Sequence, residues 1–297
     1  MQLIYQIIYH PFVNRILLFI NRSLSSITKF QLPPSGTITI RLSSGANFKL
    51  STNQTSYVTK FLYWNGADKF EYTSIFERLA RKVDLFIDIG ANTGYYSILA
   101  AAVNEKISVY SFEPAQGSSH YLKKNIAINQ FGNNIKAHDI ALSDKESEVE
   151  FYEVQNAKYP YLTHNLGGVG SLKKESNSKR TSTIVKTLPL DKFVERESVQ
   201  KIELIKIDTE GTENLILNGG HQTILLFKPI IICETLFNRI EKELEIIMRS
   251  HGYEFYNHLD QKLYRVNTLI REKDNGVRDC FFVHPEKFHL IQEFVAN

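Results

Sequence analysis

The chain has 297 residues, of which 43% are hydrophobic and 23% are charged, with 15 Gly and 8 Pro. This composition is typical of a globular protein with one large or two small domains, and it excludes collagen, coiled coils and wholly disordered chains. The 35 Lys and Arg against 32 Asp and Glu give a net charge of +3. That value is too close to neutral for nucleic acid or an anionic membrane to be the main partner.

The two cysteines, Cys233 and Cys280, form no CxxC pair. We therefore predict neither a disulfide framework nor a cysteine zinc site. Both should be ordinary buried thiols on neighbouring strands. A reducing compartment, the cytoplasm, is the expected location.

The first twenty residues are apolar but are interrupted by His10, Pro11, Asn14 and Arg15. A span needs about 20 consecutive largely apolar residues, and the pattern also lacks the basic start and cleavage site of a secretory signal. We expect a helix that packs on the main domain. The alternative is a membrane-surface helix, so residues 1–20 are the one expected place of membrane contact.

The region before residue 61 is predicted to be an N-terminal extension. Residues 36–50 alternate in the manner of a β-hairpin with Ser44 and Gly45 at its turn, and residues 54–81 are expected to be helical around a break at Gly66. We divide the chain into an extension, residues 1–60, and a main domain, residues 61–297.

From residue 83 onward, apolar strands alternate with helices. Strands are predicted at 83–90, 106–114, 135–143, 149–154, 202–211, 228–235, 253–260, 262–266 and 278–285. Helices are predicted at 95–103, 116–130, 213–226 and 239–250, with a short one at the C-terminus, and residues 155–180 should be a loop that forms a lid. The pattern indicates an α/β fold with a parallel sheet and an antiparallel edge. Its ligand should bind beyond the carboxyl ends of the strands, where the strand order reverses.

The first of these strands ends in a turn that favours a ligand. Gly90, Asn92 and Gly94 tolerate positive φ or close approach of a ligand, and the following helix N-terminus favours a small anion or carboxylate. Glu113 ends the second strand, 19 residues after Gly94, where an acidic side chain binds the hydroxyls of a ribose. Together they predict an adenosine-type cofactor.

The turn does not match the nucleotide diphosphate motifs. The dinucleotide motif requires Gly at positions 92 and 95, where this chain has Asn92 and Tyr95, and no P-loop motif is present. S-adenosylmethionine, which has a carboxylate where NAD has phosphates, fits better. An NAD-type oxidoreductase on the same sheet is the alternative.

Five segments in order, DIGANTGYYS, SFEP, DIALSD, TLPLDKF and LIKIDTEGTENLILNG, resemble the FkbM family of class I S-adenosylmethionine-dependent methyltransferases. The resemblance covers about residues 60–255. It implies a Rossmann-like, seven-stranded mixed sheet with a reversed final hairpin, the cofactor at the switch point, and O-methylation of hydroxyls on sugars, glycans or related small molecules. Residues 1–60 and 155–180 match no family motif and are expected to determine substrate choice.

The resemblance and the turn chemistry together assign the cofactor-binding residues. Asp139 would accept the exocyclic amine of adenine and Ile140 would pack on the ring, while Asp88 would orient the turn or meet the cofactor's ammonium group, unless it only caps the helix. The predicted set is Asp88, Gly90, Ala91, Asn92, Gly94, Glu113, Asp139, Ile140 and Ala141.

Methyl transfer to a hydroxyl requires alignment, exclusion of water and help in removing a proton. Asp208 and Glu210, after the fourth strand of the alternation, are the predicted catalytic residues. Alternatively they hydrogen-bond the substrate, or join Glu234 as oxygen ligands of Mg²⁺ or Ca²⁺. We favour the metal-free interpretation. A non-catalytic domain that keeps the fold is a further alternative.

Overall fold

A computed structural model describes residues 2–24, 29–154, 156–166 and 180–296. The helices are α1 (Gln2–Ile8), α2 (Pro11–Ser23), α3 (Tyr57–Asn65), α4 (Thr73–Ala80), α5 (Tyr95–Val103), α6 (Gln116–Asn129), α7 (Leu190–Arg196), α8 (Glu213–Gly219), α9 (His221–Phe227) and α10 (Glu241–Ser250). The strands are β1 (Gly36–Arg41), β2 (Asn47–Thr52), β3 (Leu85–Ile89), β4 (Ser108–Phe112), β5 (Ile135–His138), β6 (Ala141–Leu142), β7 (Ser147–Val154), β8 (Arg180–Leu188), β9 (Leu204–Ile207), β10 (Ile230–Glu234), β11 (Glu254–Leu259), β12 (Lys262–Val266) and β13 (Asp279–Val283).

The main sheet has the order β12-β11-β13-β10-β9-β3-β4-β5. Strands β5, β4, β3, β9 and β10 are parallel, and β13 runs antiparallel to both β10 and β11. This confirms the predicted Rossmann-like mixed α/β fold. The strands that follow β3 in the chain, β4 and β5, lie on one side of it, and the later strands β9 and β10 lie on the other side. The strand order therefore reverses between β3 and β9, which is the switch point.

The sheet has eight strands rather than seven, because β12 adds to its edge. Asp260 and Gln261 have φ angles of 50° and 61° and connect the paired residues Leu259 and Lys262. Two consecutive residues with positive φ form the tight hairpin turn whose twist matches that of the strands. The turn therefore folds β12 back onto β11.

The central strands are covered on both faces, as their continuous apolar sequences predict. All four residues of β9 are buried, and in β3 only Leu85 is partly exposed. The β3 and β9 ends approach closely after Ile89. A Cβ on Gly90, whose φ is +73°, would lie 1.9 Å from the backbone oxygen of Asp208. No side chain fits at that position.

Several predicted elements differ in extent. The predicted strand 135–143 divides into β5 and the short β6, which joins β8 and β7 in a separate three-stranded sheet. The predicted helix 213–226 divides at Gly220 into α8 and α9, where two successive glycines weaken helix formation. The predicted C-terminal helix is two 3₁₀ turns. Of the predicted lid, residues 155 and 167–179 lie outside the described residues.

The N-terminal extension packs on the main domain. The predicted hairpin is β1 and β2, and Phe48 and Leu50 of β2 are buried in the same apolar cluster as Tyr95 of α5. Helix α2 lies against the domain through buried Asn14 and Leu18. Within the described residues, no helix has by itself the length and hydropathy of a membrane span. Helices α1 and α2 have that length and hydropathy only when they are taken together, and the chain bends by 75° between them.

The close approach at Gly90 predicts a large loss of stability for Gly90→Ala. The matched control is Gly45→Ala, because Gly45 also has a positive φ of +93° but a Cβ there meets nothing within 4 Å. We expect the control to cost about 1–2 kcal/mol of backbone strain, and Gly90→Ala to cost a further 1–3 kcal/mol or so from the clash. Urea unfolding measures both. Equal losses would show that the two strand ends do not meet as described.

Candidate active site

A pocket lies at the carboxyl ends of β3, β4 and β9, beside the switch point. Its cavity volume is about 130 Å³, and it opens to solvent. Seven of the predicted site residues line it together: Gly90, Asn92, Glu113, Ile140, Ala141, Asp208 and Glu210. Sequence reasoning did not find several other lining residues, among them Phe112, Ser118, Phe151, Thr209 and Thr212.

The turn after β3 has the predicted backbone. Gly90, Asn92 and Gly94 have φ angles of 73°, 50° and 86°. The N–H groups of Gly90 and Ala91 both donate to the backbone oxygen of Phe112, at 3.0 Å each. This arrangement ties the turn to the end of β4, and α5 begins directly after Gly94.

Glu113 joins the turn to the strand beside it. Its Oε2 accepts the Asn92 N–H at 2.7 Å and its Oε1 accepts the Ala115 N–H at 2.9 Å. The residue is only 7% exposed, and burial raises the pKa of its carboxyl to about 7 despite these two hydrogen bonds. Each carboxylate oxygen keeps further lone pairs, so Glu113 has room to accept hydrogen bonds from a ligand in the pocket.

The charge of the pocket lining is one-sided. Glu113, Asp208 and Glu210 supply three carboxyl groups, and no Lys or Arg is among the described residues that line the pocket. A cleft lined by charges of one sign concentrates the field of those charges. The pocket therefore favours a cationic ligand over an anionic one.

A buried cation lies behind the pocket wall, and sequence reasoning missed it. Lys206 is 4% exposed and donates to the backbone oxygen of Gly90 at 3.1 Å. Its Nζ lies 3.6 Å from Asp88 Oδ1 and 3.4 Å from Asp208 Oδ2. Although burial opposes its charge, Asp208 and Asp88 raise the pKa of Lys206. A lysine inside the apolar run of β9 was the available signal, because a buried lysine needs a charged partner.

The loop after β9 is held in an unusual conformation. Glu210 has a φ of 59° and Gly211 a φ of 105°. Buried Glu213, also missed by sequence reasoning, accepts the N–H groups of Thr209 and Gly211 at 2.9 and 3.1 Å. A non-glycine residue with positive φ costs energy and persists only when its surroundings enforce it. These contacts hold Asp208 and Glu210 at the rim of the pocket.

Asp208, Glu210 and Glu234 converge as the metal alternative requires, with one carboxylate oxygen from each within 4.8 Å of the others. Burial, Asp208 and Glu210 raise the pKa of Glu234 to about 10. The described residues supply no hydrogen-bond partner for its buried Oε2. The repulsion among these three carboxylates is relieved either by a proton held on Glu234 or by a hard cation bound between them.

Four predicted residues do not line the pocket. Asp88 is buried beside it, where Ser97 donates to its Oδ2 at 2.5 Å, and Ala91 and Gly94 belong to the turn but are not among the lining residues. Asp139 is engaged by Ser119 and Lys123 and contributes to a separate surface hollow. Its predicted contact with adenine stays a prediction.

A doubly wound mixed sheet with a pocket at its switch point places the chain in the Rossmann-like α/β class. The sequence profile of the methyltransferase FkbM domain matches residues 88–255, more than half of the chain. The chain therefore belongs to the FkbM methyltransferase family, as the sequence motifs predict.

Individual relatives are distant. Methyltransferase sdnD of Sordaria araneosa is 23% identical over 189 residues, which are 57% of this chain and 73% of that protein. The crystal structure of methyltransferase FkbM from Methylobacillus flagellatus KT shares 16% identity, with a TM-score of 0.42 over 67% of this chain and 43% of that one. This chain thus matches less than half of that protein. The structure of M. jannaschii TYW2 in complex with AdoMet shares 14% identity, with a TM-score of 0.37 over 84% and 88% of the two chains.

Replacing Lys206 by methionine should leave Asp88 and Asp208 without the cation that pairs with both of them. Lys206→Met removes the cation between Asp88 and Asp208, so we expect a loss of about 3–5 kcal/mol in the free energy of unfolding at neutral pH. Adding Asp88→Asn should recover part of that loss, because the buried charge is then gone. A double-mutant cycle by urea unfolding measures the coupling. Strictly additive losses would show that the Lys206–Asp88 pair does not stabilise the strand ends.

Proposed function

We propose that the chain is an S-adenosylmethionine-dependent O-methyltransferase whose acceptor is a hydroxyl of a sugar, a glycan or a related small molecule. The family membership supports methyl transfer. The observation that carries the choice of cofactor is the acidic pocket at the switch point, formed by Glu113, Asp208 and Glu210. S-adenosylmethionine carries a sulfonium and an ammonium group against a single carboxylate, so its net positive charge suits this lining.

The residues present fit that cofactor. Gly90 lines the pocket with its backbone, Glu113 offers acceptor lone pairs for the ribose hydroxyls, and Ile140 with Ala141 supplies an apolar surface for the adenine ring. The α5 N-terminus follows the turn and leaves first-turn N–H groups for the cofactor's carboxylate. When bound, S-adenosylmethionine supplies a methyl group already activated by its sulfonium.

The protein's own contribution is alignment and proton removal. Asp208 is 41% exposed and lies at the pocket rim beside Glu210, where either carboxylate can accept the proton of an acceptor hydroxyl. Lys206 holds Asp208 from behind, and Glu213 holds the loop that carries both acids. The three lining carboxylates argue against the NAD-type alternative, because a diphosphate would face them without a Lys or Arg among the lining residues that the structure describes.

The acceptor is expected to enter beside the segment that follows β7. Its described part is fastened to the N-terminal extension: Asn53 Nδ2 donates to the His164 oxygen at 2.9 Å, and the Leu166 N–H donates to Thr55 Oγ1 at 2.7 Å. The extension thus supports the start of the predicted lid. We propose that the reaction takes place in the cytoplasm. Cys233 and Cys280 lie opposite each other on neighbouring strands, and both are free, buried thiols, as is typical of a reducing compartment.

Glu113→Ala tests the cofactor site. We expect it to weaken S-adenosylmethionine binding by about 1–3 kcal/mol, because the ribose hydroxyls and the Asn92 N–H lose their acceptor. Isothermal titration calorimetry with S-adenosylmethionine and S-adenosylhomocysteine measures the loss, and Glu148→Ala, an exposed glutamate of β7, is the control. Unaltered affinity in Glu113→Ala would remove Glu113 from the site. Binding of NAD(H) without S-adenosylhomocysteine would restore the oxidoreductase alternative.

The same titrations should depend on pH. Ribose hydroxyls donate to the ionised Glu113 carboxylate, and its pKa in the free protein is raised to about 7. Affinity should therefore fall as the pH drops below about 7, approaching tenfold per pH unit. Glu113→Gln should lose this dependence. The same slope in both proteins would contradict the role of Glu113.

Asp208→Asn and Glu210→Gln test the catalytic assignment. Loss of the general base should slow transfer of a radiolabelled methyl group to polar extracts of the expressing cells by about 10²–10⁴-fold. Mass spectrometry should show products heavier by one methylene group, and O-methyl ethers should survive mild alkali.

Activity should persist in EDTA, because Lys206 and a proton on Glu234 already compensate the acidic cluster. Loss in EDTA with recovery in Mg²⁺ would instead assign the three carboxylates to a metal, and unchanged transfer in both variants would make the acids non-catalytic.

A further inference from the structure

The two N-terminal helices expose an unusual amount of apolar surface. No residue of α1 is buried, and in α2 only Asn14 and Leu18 are buried. Phe12 and Phe19 of α2 are 69% and 73% exposed. The exposed apolar residues of the two helices and of the position after them are Leu3, Ile4, Ile7, Phe12, Ile16, Phe19, Ile20 and Leu24; we call this set the N-terminal apolar face.

Polar contacts determine which side of α2 faces outward. Asn14 Nδ2 donates to the Pro33 oxygen at 3.2 Å and Asn14 Oδ1 accepts the Ser35 N–H at 2.8 Å. About two helical turns further along the same side, Asn21 Oδ1 accepts the Leu32 N–H at 2.8 Å. A helix on a protein surface normally buries its apolar stripe and exposes its polar one. Here α2 is anchored by asparagines, and its apolar stripe faces away from the protein.

The charge of this region is strongly asymmetric. Residues 1–67 contain six Lys and Arg, at positions 15, 22, 29, 41, 49 and 60, and all 32 Asp and Glu of the chain lie beyond them. Arg15 and Lys49 line a surface hollow together with Phe12. The N-terminal apolar face is thus bordered by cations with no acidic residue in the same stretch of sequence.

An apolar helix face bordered by cations has the chemistry of an interfacial helix. The apolar side chains enter the boundary of headgroups and acyl chains, and the cations meet anionic headgroups. Crossing the bilayer does not fit: α1 and α2 have the length of a span only together and are bent by 75°, and α2 alone has 13 residues, about 20 Å of helix against a hydrocarbon core of about 30 Å. A second copy of the chain fits poorly as well, because a symmetric contact would bring two cationic regions together.

We propose that α1 and α2 form a membrane-surface anchor that binds bilayers containing anionic lipids. The helices lie along the bilayer with the N-terminal apolar face in it. The hydrogen bonds of Asn14 and Asn21 keep α2 joined to the domain while it is bound.

Vesicle flotation with the purified full-length chain tests the anchor. Vesicles of phosphatidylcholine alone are compared with vesicles in which about 30% is phosphatidylserine, an anionic lipid of the kind that attracts basic segments. We expect at least about tenfold tighter binding to the anionic vesicles, weakened by added salt. No binding to them, or equal binding to both compositions, would overturn the proposal.

Matched variants separate the anchor from general surface hydrophobicity. Phe12→Ser combined with Phe19→Ser changes exposed side chains, so the fold should persist, and we expect binding to fall at least about tenfold. Arg15→Gln and Lys49→Gln should each reduce binding to anionic vesicles by about fivefold. The control is Leu225→Ser combined with Leu226→Ser, two exposed leucines of α9, which should leave binding unchanged.

Two results with these variants would overturn the proposal. One is an equal loss of binding in the α2 and α9 double variants. The other is a dimer in analytical ultracentrifugation that the α2 double variant dissociates, since a second copy would then cover the face. A monomer whose vesicle binding is lost only in the N-terminal variants supports the anchor.

Discussion

One buried ammonium group holds together the two strand ends that form the pocket. Lys206 of β9 donates to the Gly90 backbone and pairs with Asp88 of β3 and with Asp208 after β9. Without it, carboxylates at adjacent strand ends would face one another in a medium of low polarity, at a cost of several kcal/mol. This cation links the turn after β3 to the acidic loop after β9, and the missing side chain of Gly90 lets them meet.

A near-neutral net charge conceals a separation of charge. The ligand pocket is lined by carboxylates, whereas residues 1–67 carry cations and no acid. Residues 1–67 carry a charge of +6, and the rest of the chain, with 29 Lys and Arg against 32 Asp and Glu, carries −3, so the net charge of +3 describes neither part. The acidic pocket suits a cationic cofactor, and the basic N-terminal region suits an anionic surface. The functional proposals follow from where the charges lie.

Local patterns predicted the turn chemistry well. The tolerance of Gly90, Asn92 and Gly94 for positive φ predicts the turn, and all three adopt it, because that preference belongs to the residue itself. Asp139 was assigned by resemblance to other chains, but Ser119 and Lys123 of α6 engage its side chain. Those contacts depend on how α6 packs, which no pattern around Asp139 contains.

The order of strands and helices, the fold class and the family are determined by the sequence itself, because hydrophobic periodicity and turn residues act over a few positions. Tertiary structure alone decided the rest. It brought Lys206, Asp88 and Asp208 together from two strands, joined Glu234 to the acids after β9, and turned the apolar side of α2 outward. The physical reason is that burial and charge pairing act between residues distant in the chain, and their strength is set by distances that only packing establishes.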